Sequence, residues 1–234
     1  YYINIYNSIT IKLIINIYPV LSIKDIQKPW TTPIIKIGNE NFYKISNVDK
    51  MRPFFMSIVS NSNHWMFISS TGSLSAGRKN SEFSLFPYYT DDKITESSDT
   101  TGSKTIIIVK INNKNFLWEP FSSRYIGAYK VSRNIYKNTI GNKVIFEEIN
   151  HDLNIEFSYQ WNSSNRFGFV KKSTLVNTSD SNVHVTVLDG LQNIVPYGVG
   201  ADLQNEAAQQ AYLSMGFKRR EYGGAHFIKV LETE

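Results

Sequence analysis

The sequence predicts an all-β protein whose short antiparallel strands form a sandwich or stacked sheets. Most segments alternate apolar and polar residues with a period of two, which is typical of strands buried on one face. These segments are bounded by Asn, Gly, Ser and Asp, the residues that turns favour. The 234-residue chain is 41% hydrophobic and 14% aromatic. It therefore has enough apolar surface to bury a substantial core, and general disorder is excluded.

Eight segments carry the alternation, and we expect each of them to form a strand. They are Phe54–Ser60, Trp65–Ser70, Thr105–Ile111, Asn115–Trp118, Lys143–Ile149, Leu153–Trp161, Phe167–Asn177 and Val183–Asp189. The polar triplets 112–114 and 150–152 are predicted hairpin turns, because Asn and Asp tolerate positive φ. Gly72 and Gly77 are expected to permit tight turns in the same way.

The two ends of the chain differ from its middle. Residues 1–33 are rich in Ile, Asn, Tyr and Lys, and neither a secretory leader nor an uninterrupted transmembrane span is evident there. We expect them to be a low-complexity extension, or else an added edge strand, beside a β-domain of residues 34–203. In residues 204–234, helix formers run from the potential cap Asn205 to Met215. This tail predicts a short helix, followed by one or two strands between Phe217 and Leu231.

Charge and residue usage narrow the classes of function. The net charge is +5 and the pI is about 9.2, but Lys and Arg are scattered apart from the run 218–220. This distribution indicates a mildly basic, solvated surface and not a nucleic-acid-binding one. The chain has no Cys, which excludes disulfides, thiolate metal sites and a cysteine nucleophile. The four His residues lack ligand spacing, so no metal site is predicted.

Aromatic residues are concentrated between Pro53 and Thr90, where they alternate with Ser, Asn and Gly. Rings beside short polar groups suit a sugar, whose C–H faces lie on rings and whose hydroxyls need donors and acceptors. The same mixture also suits the core and turns of an ordinary β-sheet. Trp65, Trp118 and Trp161 lie in strand patterns, and we expect them to be core residues.

Motifs along most of the chain resemble the N-terminal region of large bacterial inverting glycoside phosphorylases, the cellobiose and 1,2-β-oligoglucan phosphorylase group. The likeness covers roughly residues 34 to 205 of the sequence. It rests on MSIVSNSNHWMFISSTGSLSAGRKN, LFPYYTDDKI, FLWEPFS, RNIYKN, IFEEINHDL, FGFVKKSTLVN and VLDGLQNIVPYGVG, in that order. The resemblance implies a large galactose-mutarotase-like β-sandwich that binds an oligosaccharide in the bacterial cytoplasm.

In these phosphorylases phosphate attacks the anomeric carbon while a carboxylic acid protonates the leaving oxygen. The family's general acid and phosphate-binding residues lie on a helical barrel beyond the matching region. The resemblance therefore implies that this chain stops before the barrel, needs no cofactor besides phosphate as a co-substrate of the whole enzyme, and is inactive alone. The barrel and a second copy are its expected partners, with neither nucleic acid nor a membrane among them. The expected sugar-binding residues are His64, Arg78, Tyr88, Tyr89, Asp91 and Arg124. A free-standing carbohydrate-binding module is the alternative.

Three further motifs weigh against other activities. Gly72 to Lys79 spaces its glycines like a phosphate-binding P-loop, but Arg78 and Lys79 stand where that loop needs Lys and a hydroxyl. Glu147 and Glu148 are adjacent on a strand and point to opposite faces, so they cannot serve one catalytic site. Asp91 and Asp92 are predicted to lie in a loop, where their carboxylates could converge on one site, but a solvated or capping role is favoured.

A second, shorter likeness concerns the tail. NEAAQQAYLSMGF resembles the last helix and strand of GNAT acetyltransferases. That resemblance would bring Asn205 to the coenzyme A pantetheine arm and Tyr212 to the leaving thiolate. No Gly-rich loop that could hold the pyrophosphate precedes it. A complete acetyl-CoA site is therefore not expected, and the tail is either foreign to the domain or an ordinary amphipathic helix. A GNAT-type acetyltransferase fragment is the third and weakest hypothesis of function.

Overall fold

The computed structural model describes residues 33–86, 91–195, 210, 217–221 and 225–229. Antiparallel strands dominate these residues, which confirms the all-β prediction. The strands are β1 (Ile34–Ile37), β2 (Glu40–Ser46), β3 (Phe55–Ile58), β4 (His64–Ser69), β5 (Leu74–Arg78), β6 (Gly102–Ile111), β7 (Lys114–Trp118), β8 (Val131–Asn138), β9 (Lys143–Asn150), β10 (Ile155–Ser164), β11 (Gly168–Asn177), β12 (His184–Gln192), β13 (Phe217–Glu221) and β14 (Ala225–Lys229). One short helix, α1 (Asp91–Glu96), lies between β5 and β6.

The largest sheet has six strands in the order β1-β2-β8-β9-β10-β11, each antiparallel to its neighbours. Burial alternates along its central strands. On β10, for example, Phe157, Tyr159 and Trp161 are buried, whereas the residues between them are half-exposed. The alternation gives this sheet one face that packs into the core and a more polar outer face.

Two three-stranded sheets, β3-β4-β5 and β12-β6-β7, supply the rest of the core. Met66 and Ile68 of β4 and Ile107 and Val109 of β6 belong to the same buried cluster as the inner face of the large sheet. All three sheets therefore share one hydrophobic core. The strands β13 and β14 pair with each other as a separate two-stranded sheet.

All eight predicted strands are present, with ends that differ by a few residues. The strands β1, β2, β5 and β8 were not predicted. On β8 the inward positions include Arg133 and Lys137, whose partners across β9 are Glu148 and Val144. Charged side chains on the buried face interrupt the apolar alternation, and this hides the strand from pattern analysis.

The predicted turns are mostly confirmed. Asn112 and Asn113 have φ of 49° and 60° and join β6 to β7 as a two-residue hairpin. Gly72 turns the chain between β4 and β5 with φ of 92°. The turn prediction for Gly77 was wrong, because this residue lies inside β5. A Cβ there would come within 2.6 Å of Phe83 O, so the backbone contact itself requires glycine.

The structure changes several smaller expectations. Trp118 and Trp161 are core residues as predicted, but Trp65 is only half-buried and its indole donates to Asn80 O at 3.3 Å. Asp91 and Asp92 begin α1, so the loop prediction for them was wrong. Two strands, β13 and β14, occur in the tail as expected. The predicted extension (except residue 33) and, except for Gln210, the predicted tail helix lie outside the described residues.

Candidate functional site

A cavity of about 510 Å³ lies between the inner face of the six-stranded sheet and the connection from β7 to β8. This volume is within the range of about 300–1,000 Å³ that is usual for small-molecule sites. The sheet lines the cavity with Arg133 of β8 and with Phe146 and Glu148 of β9. Residues of the 119–130 connection and of the 48–53 segment line it elsewhere.

The carboxylate of Glu148 organises the inner side of the cavity. Alternation along β9 sends this side chain inward, where it is 1% exposed. Its Oε1 accepts a hydrogen bond from Trp118 Nε1 at 2.9 Å. Its Oε2 accepts from the Phe121 backbone N at 2.7 Å and from Arg133 Nε at 2.7 Å. Three donors thus compensate the desolvation of this group, as a buried carboxylate requires.

Arg133 connects the sheet to the β7–β8 connection. It lies directly opposite Glu148 in the β8–β9 register. While Nε donates to Glu148, Nη2 donates to Ser122 O at 3.1 Å. The charged pair therefore holds both the strand and the backbone of the connection in place.

Phe121 has an unusual backbone conformation at this point. Its φ of 64° lies in the left-handed region, which is costly for a bulky residue, by about 1–3 kcal/mol. The N–H bond to Glu148 and edge-on packing of its ring against Tyr159 at 5.1 Å and Phe146 at 6.2 Å hold it there. Surrounding contacts that impose such strain are common at functional sites.

Residues 123–128, here called the arch, border the cavity on the solvent side. Tyr125 is 44% exposed and Ile126 is 78% exposed, yet both line the cavity. Tyr129, just after the arch, also lines it and donates from its hydroxyl to Leu117 O at 2.8 Å. The arch side of the cavity therefore presents aromatic surface, and the Tyr129 hydroxyl there is already bonded to Leu117 O.

Two carboxylates anchor the ends of the arch. At its start, Asp99 accepts from Ser122 Oγ at 3.2 Å and from Ser123 N at 3.3 Å. Burial opposes the charge of Asp99, but the hydrogen bonds from Ser123 and Ser122 outweigh it and lower the pKa of this carboxyl. At the other end, the Lys130 backbone N donates to Asp152 Oδ2 at 2.6 Å. The arch is therefore tied at both ends and exposed between them.

The structure brings two of the predicted sugar-binding residues together. His64 of β4 and Arg78 of β5 are cross-strand partners. His64 Nδ1 lies 2.7 Å from Ser62 Oγ, and Arg78 Nε donates to Asn63 Oδ1 at 3.2 Å. Burial and the nearby Arg78 charge lower the pKa of His64. Neither residue is among the described lining of the cavity.

Of the other four predicted residues, the structure describes the side chain of Arg124 alone. Arg124 belongs to the arch, where its side chain is exposed and its backbone N donates to Ser122 Oγ at 3.1 Å. Asp91 begins α1, and its side chain lies outside the described part of the molecule. Tyr88 and Tyr89 also lie outside it.

The prediction that Glu147 and Glu148 point to opposite faces of the sheet is confirmed. The carboxylate that interacts with Glu147 is that of Glu156. On the outer face of the large sheet, Glu147 Oε2 accepts from Asn134 Nδ2 and from Tyr136 Oη, both at 2.7 Å. Burial, the Glu147 charge and a hydrogen bond with Glu147 raise the pKa of Glu156. Pairs between residues on adjacent strands depend on register, which local sequence does not reveal.

Two comparisons of the sequence with known proteins found no match. No protein-family model matches the chain, and no curated protein matches it.

In residues 33–86 and 91–195, His, Asp and Glu do not form a group of three that could hold a metal ion. Over the same ranges, no helix has the length and apolar character needed to cross a bilayer.

Sequence reasoning missed the cavity residues Arg133, Tyr125 and Tyr129 as members of a site. It also treated Trp118 as core alone, although its indole N–H binds Glu148 inside the cavity lining. One signal was present: Glu148 occupies a position that β9 alternation buries, and a buried carboxylate requires donors from elsewhere in the chain.

Proposed function

We propose that this chain is a non-catalytic carbohydrate-binding β-domain and that a sugar occupies the cavity beneath the arch. The observation that carries this proposal is the combination of aromatic surface at the exposed Tyr125 and the half-buried Tyr129 with hydroxyl and charged groups around a cavity of about 510 Å³. Pyranose rings present apolar C–H faces and a belt of hydroxyls, so they need both kinds of partner.

The arrangement of carboxylates supports binding over catalysis. Glycoside cleavage requires a carboxyl that can exchange a proton with the leaving oxygen. Both oxygens of Glu148 already accept hydrogen bonds. Glu119, the next buried carboxylate of the lining, forms an ion pair with Lys104. Neither group is presented as a proton donor.

We assign the domain to a larger glycoside phosphorylase on the strength of the ordered motifs between residues 34 and 205. In this assignment the three core-forming sheets are a galactose-mutarotase-like sandwich. A helical barrel on the whole protein supplies the general acid and binds inorganic phosphate, and an oligosaccharide with β-glucosidic links is the substrate. Residence in the bacterial cytoplasm and assembly as a homodimer belong to the same proposal.

A free-standing carbohydrate-binding module is the second candidate. Its sugar would occupy the same cavity, whose described lining extends from the 48–53 segment to β9. The two candidates make the same prediction for sugar binding by the isolated chain. They differ in whether phosphorolysis appears when the chain is part of a longer protein.

Titration calorimetry with cellobiose and with sophorose tests the proposal. We expect the chain to bind at least one of them and Tyr125→Ala to weaken binding about tenfold, equivalent to about 1.4 kcal/mol. Phe167→Ala is the matched control, since Phe167 is 71% exposed and is not among the described cavity residues. Loss of binding on Arg78→Ala instead would move the site to β4 and β5. An absence of binding to both sugars would refute the proposal.

A further inference from the structure

We infer that two copies of this chain associate through the exposed edge of β12, which joins their three-stranded sheets into one antiparallel sheet of six strands. The inference rests on the homodimer of the proposed function and adds to it the surface through which the copies pair. The residues that carry it are those of β12, and they lie apart from the described lining of the cavity.

β12 is an edge strand that is exposed on both of its faces. Among the described strands it pairs with β6 alone, through all nine of its residues. Leu188 on the outer face is 68% exposed, and Val187 on the opposite face is 43% exposed. A long apolar strand at the edge of a sheet is a template for pairing with another strand.

The sequence of β12, HVTVLDGLQ, lacks the residues that usually block an edge, namely Lys, Arg and Pro. Its one carboxylate, that of Asp189, is already bound within the same molecule. It accepts from Thr105 Oγ1 and from Ser173 Oγ, both at 2.7 Å, and it forms an ion pair with Lys171. Lys171 Nζ also lies 3.4 Å from Gly190 O, which is longer than a usual hydrogen bond. The charge of Asp189 is therefore compensated and does not keep a second strand away.

Other edges of the described sheets are protected. The six-stranded sheet ends on β11, which carries the exposed Lys172. The sheet of β12 ends on its other side at β7, where Leu117 O accepts from the Tyr129 hydroxyl. On β3, Ser57 O accepts from the ammonium group of Lys137. Compared with these three edges, that of β12 is the most open to another strand.

β12 is also complementary to a second copy of itself. An antiparallel pair that uses all nine residues places Leu188 of one copy opposite Leu188 of the other. On either side of this centre, Val187 faces Asp189, and further out Val185 faces Leu191. Apolar side chains thus meet in three of the cross-strand pairs, and the two Asp189 carboxylates are not opposite each other, which would be unfavourable. The same patch serves both copies, as a two-fold dimer requires.

The size of the surface sets the expected strength of the dimer. Nine residues on each side are fewer than the roughly 20–30 residues of a standard interface. We therefore expect association at micromolar and not at nanomolar concentrations. Sedimentation velocity between about 1 µM and about 100 µM covers this range. The mass should rise from that of one chain, 26.9 kDa, towards twice that value. A single chain at every concentration would overturn the inference.

Two matched variants test whether β12 is the surface. Leu188→Lys places one ammonium group opposite another at the centre of the pair, and it should weaken association at least tenfold. The side chain is 68% exposed, so the change leaves the core intact. Ile140→Lys introduces the same charge at a residue that is 71% exposed between β8 and β9, and it should leave association unchanged. A dimer that both variants leave unchanged, or that both weaken equally, would contradict the assignment to β12.

Hydrogen exchange on the unmodified chain keeps the test independent of how Leu188→Lys folds. Amides of β12 that face the open edge should exchange at least tenfold more slowly at about 100 µM than at about 1 µM, because pairing protects them. Amides of β1, the edge of another sheet, should exchange equally at both concentrations. Dimerisation without added protection in β12 would show that the copies meet elsewhere, and the inference would fall.

Sugar binding separates this inference from the rest of the proposed function. Leu188→Lys should bind cellobiose as tightly as the unmodified chain in titration calorimetry, since β12 is not part of the described cavity lining. A chain that binds cellobiose and stays monomeric overturns the inference and leaves the sugar site standing. A β12-paired dimer that binds neither cellobiose nor sophorose supports the inference and refutes the sugar site.

Discussion

Replacing Lys137 by Met should stabilise the protein at neutral pH and change how stability depends on pH. Lys137 lies on the inner face of β8, opposite the fully buried Val144. Its ammonium group donates to Ser57 O, and among the described residues no carboxylate forms an ion pair with it. Burial lowers the pKa of Lys137 from 10.5 to about 8.

The magnitude follows from that pKa. A fall from 10.5 to about 8, at about 1.4 kcal/mol for each pH unit, corresponds to a destabilisation of about 3 kcal/mol below pH 8. Loss of the hydrogen bond to Ser57 O offsets about 1 kcal/mol of the gain in the variant. We therefore expect Lys137→Met to raise the free energy of unfolding by about 2 kcal/mol at pH 7.

The pH dependence gives the stricter check. Between pH 8 and 10.5 the unfolded chain holds the proton on Lys137 more often than the folded chain, so wild-type stability rises with pH in this window. Urea unfolding at several pH values should show the advantage of Lys137→Met shrinking across the window. Lys36→Met, at an exposed lysine of β1, should show no such trend. An advantage that stays constant with pH, or is absent at pH 7, would refute the reasoning.

Three other changes should affect stability for different reasons. Gly77→Ala should cost at least about 2 kcal/mol, since its Cβ would lie 2.6 Å from Phe83 O, whereas Gly190→Ala has open space and should change the Tm little. Glu148→Ala should cost about 3–5 kcal/mol in urea unfolding, because it leaves a charged partner buried. Asp99 has a lowered pKa, so its contribution is complete above pH 3.8 and is lost as pH falls through the lower folded value. Wild type should therefore lose stability there relative to Asp99→Asn, and parallel acid-unfolding curves would contradict this.

Local pattern was sufficient for much of the fold. The alternation of β9 and β10 and the Asn112–Asn113 turn follow from side-chain direction and from the φ values that Asn tolerates. The prediction that Glu147 and Glu148 face opposite ways has the same basis. Each of these features depends on residues close together in sequence.

The errors arise where distant contacts override local preference. The sequence predicts a turn at Gly77, but the need for glycine at this position comes from Phe83 and Ser84, which approach the middle of β5. Likewise β8 was overlooked because Arg133 and Lys137 face the core. Arg133 is tolerated there by virtue of Glu148 on the adjacent strand, a pairing visible only once the register is known.

The sequence by itself determined the class of fold and most of the stretches that form strands, because a period of two needs only neighbouring side chains. It also determined that thiol chemistry is absent, since the chain has no Cys. The tertiary structure alone decided where a cavity forms. Trp118, Arg133 and Glu148 come from three strands, and their hydrogen bonds exist only because sheet packing brings these strands together. A buried carboxylate must be satisfied by whichever donors the fold supplies, and the chain order of those donors does not reveal them.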